Sequence, residues 1–141
     1  MQIKAKNAPA GAFEIRNITA SMCEIALFEN VQETLTQNEK GAEKGFEWNE
    51  YTMQAVYRAE LENKIAHNTA AWLALAKRRE TDGLASAARQ KRDELLSDCD
   101  WTVLGDSKTT KTDWQKYRQA LRDVPEQAAF PHEIEWPVMP V

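Results

Sequence analysis

The chain has 141 residues, 43% of them hydrophobic and 28% charged, with a formal net charge of −4, which is the mixture of one ordinary folded domain rather than of a disordered chain. The acidic balance argues against a general nucleic-acid binder. No uncharged run approaches the ~20 apolar residues that span a bilayer, and Met1-Gln2-Ile3-Lys4 opens no secretory h-region.

The first third reads as strands. Phe13-Glu14-Ile15-Arg16 alternates apolar with polar side chains, Cys23-Glu24-Ile25-Ala26-Leu27 does so again, and Phe46-Glu47-Trp48 repeats the pattern, so three short antiparallel strands are expected. Asn38 to Gly45 is polar and glycine-flanked, suited to a mobile hairpin tip joining roughly Ser21–Thr36 to Gly45–Val56. This region is acidic: Glu24 to Glu62 holds nine acids against three bases. Glu24, Glu29 and Glu33 on the first arm of the hairpin are its candidate partner surface, alongside the hydrogen-bonding groups of an exposed strand edge.

From Tyr57 the period becomes helical. Leu61, Ile65, Asn68, Trp72, Leu75 and Arg79 step by three or four along one stripe, and Leu84, Ala88, Arg92 and Leu95 continue it. Gly83 marks either a bend in one long helix or a boundary between two. Lys77 to Arg92 carries six bases against two acids, a polarity that suits self-association or the steering of a partner, or simply a solvated helix face.

Thr112-Asp113-Trp114-Gln115 fits a capping box, with Thr109 or Thr110 as alternative caps. The helix that follows places Trp114, Tyr117 or Arg118, and Leu121 on one face and ends near Asp123, because Val124 precedes Pro125. Phe130, Ile134 and Trp136 anchor a proline-rich tail laid over a surface. The expected fold is α+β: a small antiparallel β meander or hairpin in residues 1–56, then helices and tail in 57–141.

Few residues are spaced for chemistry. Two cysteines, Cys23 and Cys99, are too few and too distant for a disulfide framework and read as free thiols of a reducing cytosol. The sequon Asn17-Ile18-Thr19 has no export signal to give it use. His67 and His132 read as surface residues. Asp98, Asp100 and Thr102 begin like a calcium loop, but Val103 stands where the turn needs Gly and Thr109 where a bidentate Glu should close the site. No phosphate-binding loop, dinucleotide fingerprint, zinc-protease motif or nucleophile elbow is present. No catalytic, metal or cofactor site is expected, and the interleaved bases and aromatics of Trp114–Arg118 read as a packed face rather than a nucleic-acid platform.

The C-terminal residues also form a long spaced pattern: Arg92-Asp93-Glu94-Leu95-Leu96, Asp100-Trp101-Thr102, Trp114-Gln115-Lys116-Tyr117-Arg118-Gln119-Ala120-Leu121-Arg122-Asp123-Val124-Pro125-Glu126-Gln127, Phe130-Pro131 and Ile134-Glu135-Trp136-Pro137. This block, roughly residues 92–137, resembles the phage tail assembly chaperone family, and Trp48-Asn49-Glu50-Tyr51 and Trp72-Leu73 extend a fainter likeness into the first half. It departs from the family between Trp101 and Trp114. The resemblance implies a non-enzymatic cytoplasmic helper that holds a tape measure, tube or fibre component of a phage tail, with no cofactor and no membrane. A structural tail or tail-fibre adaptor is the alternative.

Within the block, Trp101, Trp114, Tyr117, Leu121, Phe130 and Trp136 are too many large apolar groups to leave in water and are expected to form a local core. Arg118 and Arg122 lie four apart, where like charges repel unless acids such as Asp100, Asp106 or Asp123 pair with them.

Overall fold

A computed structural model describes residues 1–38, 41–103 and 111–140. Four strands, β1 (Gln2–Ala5), β2 (Phe13–Arg16), β3 (Met22–Asn38) and β4 (Gly41–Val56), precede helices α1 (Leu61–His67), α2 (Thr69–Asp98) and α3 (Lys111–Asp123). Single 3-10 turns follow α2 (Asp100–Val103) and α3 (Val124–Glu126). The sheet is antiparallel throughout, in the order β1-β4-β3-β2. The fold is therefore α+β, as the change of hydrophobic period indicates.

The strands differ from the expectation in number and length. The hairpin arms run to 17 and 16 residues and remain paired to Asn38↔Gly41, so most of the polar stretch from Asn38 to Gly45 is strand. Residues 39 and 40 lie outside the described residues. β1 adds a strand that four residues of alternation, Gln-Ile-Lys-Ala, are too short to announce.

β3 also buries both faces. Cys23, Ile25 and Leu27 point to a cluster with Met53, Leu61, Ile65 and Ala76, with Trp72 and Leu73 at its margin, whereas Ala26 and Phe28 join Trp48 on the opposite face, flanked by Ile3 and Phe46. This explains the continuous apolar run Ile25-Ala26-Leu27-Phe28, which a strand covered on one side only would not need. Phe28 meets Trp48 edge to face at 6.2 Å between ring centroids. Arg16 lies over the Phe28 ring at 5.6 Å and holds the buried Glu50 carboxylate at 2.9 and 3.4 Å, so the charge that this second cluster encloses is compensated.

The helical interruption falls at Asn68, not at Gly83, which lies inside the unbroken α2. Asn68 has φ −147°, outside the helical region. Its N–H donates to the Ile65 carbonyl at 3.1 Å, and its side-chain Oδ1 accepts the Ala71 N–H at 3.4 Å. One residue thus ends α1 and caps α2. Gly83 stays helical because its cost relative to Ala, about 1 kcal/mol, is small beside the cooperativity of a 30-residue helix. The capping box at Thr112 is not formed at the helix start: α3 already begins at Lys111. The alternative caps Thr109 and Thr110 lie outside the described residues.

The chain divides into two compact units, Met1–Glu80 and Thr81–Val141. The first takes in the sheet, α1 and the opening turns of α2, because Leu61, Ile65 and Ala76 share a cluster with the sheet. In the second, Cys99, Trp114, Tyr117 and Leu121 are buried together, with Leu95, Leu96 and Trp136 against them.

Candidate functional site

In the C-terminal unit, α3 places Trp114, Tyr117, Arg118 and Leu121 on one buried face at spacings of three and four. Trp114 meets Tyr117 edge to face at 5.8 Å and Trp101 at 5.7 Å. Trp101 nevertheless remains 51% exposed. Trp136 packs against the same cluster, half-buried, and Lys91 lies 4.4 Å above its ring. Phe130 is half-buried beneath Arg89 at 5.5 Å. Two bases of the α2 charge run thus serve as cation–π partners for the residues after α3. The Gln127 side chain clasps the same segment: its amide donates to the Glu135 carbonyl at 2.8 Å and its oxygen accepts the Glu135 N–H at 2.9 Å.

Arg118 is the polar centre of this unit. Its guanidinium donates to the Leu96 carbonyl at 2.9 Å, to the Cys99 sulfur at 3.1 Å and to Asp100 Oδ1 at 2.8 Å, tying α3 to the end of α2 and the turn that follows. Burial opposes its charge, but the bonds to Asp100 and Cys99 outweigh burial and hold its pKa above the ordinary arginine value. Burial, followed by Cys99 and Asp98, raises the Tyr117 phenol. Arg122 is exposed, and no ion pair of it occurs among the described residues; Asp123 accepts a hydrogen bond from Gln119 at 2.8 Å, and Asp106 lies outside the described residues. Asp100 is legible in the sequence as a partner for Arg118, whereas Leu96 leaves no such signal, because it contributes a main-chain carbonyl.

In the N-terminal unit, the three hairpin acids have different surroundings. Glu29 is half-buried and pairs with Lys77 at 2.6 Å; Lys77 also lies 5.1 Å above the Tyr51 ring, and the hydrogen bond to Glu29 raises its pKa. Glu33 pairs with Lys44 at 2.8 Å on the exposed extension of the hairpin. Glu24 is half-buried, opposite Gln54 on β4 and Arg16 on β2. Two of the three carboxylates are therefore already engaged within the chain.

Among the described residues no group of three His, Cys, Asp or Glu could hold a metal ion, and no helix is long and apolar enough to cross a membrane. The oxygens that begin like a calcium loop are used locally, Asp100 by Arg118 and the buried Thr102 hydroxyl as a 2.6 Å donor to the Cys99 carbonyl. His67 Nδ1 donates to the Asn63 carbonyl at 2.6 Å, and His132 is exposed. A depression of about 460 Å³ lies beside β2 and is lined by Phe13, Ile15, Ile18, Tyr57, Arg58 and Glu62 among others.

No curated protein matches the chain, and no solved structure does. Residues 85–141 match the family model of the phage tail assembly chaperone protein, the family that the spaced pattern resembles, over the same C-terminal segment.

Proposed function

We propose that this protein is a non-enzymatic helper of phage tail assembly, which holds a tail component in the host cytoplasm until that component is built into the particle. The observation that carries the reading is the match of residues 85–141 to the tail assembly chaperone family. The two units suggest a division of labour. Most of the large apolar groups of the C-terminal block engage one another, which suits a part that maintains the fold. The β4 arm of the hairpin runs past β1, which ends opposite Phe46, and offers its outer edge beside the exposed Glu43, which suits capture of an extended segment of the tail component by strand addition.

The test is capture by the tagged full chain from a lysate of cells making the tail proteins, repeated with tape measure, tube and fibre components one at a time. One component should be retained and kept soluble, and the protein should be missing from purified particles by mass spectrometry. Stoichiometric copies in the particle would instead make it a structural adaptor, and retention of no tail component would overturn the proposal.

A further inference from the structure

β3 outgrows the strand beside it. β2 pairs with it only from Arg16↔Glu24 to Phe13↔Leu27, and the Phe28 N–H bond to the Ala12 carbonyl, at 2.9 Å, closes that ladder. Asn30, at φ 57°, then begins a bulge between Glu29 and Gln32. Beyond it, the outer edge of β3 has no neighbour among the described residues.

The register shows which groups that edge offers. Glu50 exchanges main-chain hydrogen bonds with Met1, so it faces β1. By the alternation of an antiparallel ladder, Glu47, Gly45 and Glu43 face β3, and their partners Gln32, Thr34 and Thr36 face β4. The N–H and C=O groups of Glu33, Leu35 and Gln37 therefore point away from the sheet. Free edges are ordinarily blunted by shortness, lysine, proline or cover. β1 and β2 are four residues each, the β4 extension carries Lys44, and the Gln54 carbonyl accepts Arg79 at 3.2 Å. The β3 extension from Val31 to Asn38 has no Lys, Arg, Pro or Gly, and Leu35 at its middle is 68% exposed.

We propose that this edge is the contact of a two-fold dimer, in which Glu33–Gln37 pairs antiparallel with the same segment of a second copy, centred on Leu35. The sequence selects both occupant and register. With Leu35 opposite Leu35, each exposed leucine is covered and each Glu33 faces a Gln37 amide, twice by symmetry, so no like charges meet. Sliding by one residue of each copy toward the chain start sets Glu33 against Leu35, and sliding by two sets Glu33 against Glu33. A two-stranded ribbon, marginal alone in water, becomes four-stranded with a covered centre. This inference does not rest on the tail-assembly reading and needs no tail protein to test.

The full chain, purified alone, should sediment as a dimer of the 16.1 kDa subunit. Leu35→Lys sets two cations face to face on the axis and should give a monomer with an unchanged far-UV spectrum. The register is read by a second pair of variants: Gln37→Lys should tighten the dimer by opposing Glu33, and Gln37→Glu should weaken it, each by roughly 2- to 30-fold for two cross-strand pairs. A wild-type monomer at every concentration, a Leu35→Lys dimer as strong as the parent, or Gln37 variants that shift the equilibrium in the same direction would each overturn the proposal.

Discussion

Replacing Arg118 by Ala should lower the melting temperature of the C-terminal unit while leaving capture of the tail component intact. Arg118 is 9% exposed and its bond to the Leu96 carbonyl satisfies an acceptor in the last turn of α2, a charge-assisted bond worth about 1.5–3 kcal/mol. The Asp100 carboxylate is 64% exposed, so water screens that pair and it adds about 0–1 kcal/mol. Against these, the buried Arg118 Nε–H has no hydrogen-bond partner, a cost of about 1–3 kcal/mol that the substitution removes. The net loss is about 1 kcal/mol, or roughly 4–8 °C for a unit the size of Thr81–Val141. Near-UV circular dichroism follows the unit through Trp101 and Trp114, whose rings are in contact. Arg118→Met, which keeps the hydrocarbon stem without the orphaned N–H, should lose less than the alanine variant. A protein that melts like its parent but no longer captures its partner would refute the reasoning, because Arg118 would then belong to the binding surface and not to the fold.

Trp114→Ala empties the centre of the C-terminal cluster and should cost about 3–5 kcal/mol, measured by chemical denaturation. The folded chain holds the Tyr117 proton more tightly than the unfolded chain, whose phenol ionises near pH 10. That contribution is complete below about pH 10 and is lost as pH rises through the raised folded value, so Tyr117→Phe should flatten the alkaline fall of the melting temperature. An identical fall in both proteins would remove Tyr117 as its source. Asn68→Ala deletes the cap between α1 and α2 and should cost about 0.5–2 kcal/mol, with Asn68→Asp close to the parent in thermal melts.

Much of the C-terminal unit is legible in the order of residues, since Trp114, Tyr117 or Arg118, and Leu121 fall at helical spacing and Pro125 limits the helix. These signals are local, so they survive without knowledge of neighbours. The strand cores at Phe13–Arg16, Cys23–Leu27 and Phe46–Trp48 are legible for the same reason. Asn68 shows where local reading fails: its place on the apolar stripe disguises a polar cap, because periodicity counts positions and not backbone angles. Gly83 is the converse, a residue with a breaking tendency that its long helix overrides.

What the sequence by itself determined is the α+β class, the hairpin and the family-like block, each written in spacing along a single segment. Only the tertiary structure decided that β3 is covered on both faces, that Glu29 is paired with Lys77, that Arg118 holds a main-chain carbonyl, and that β3 extends past its neighbour with an open edge. Those features depend on which segments meet across many residues of chain, and neither strand register nor main-chain acceptors leave a local mark in the order of side chains.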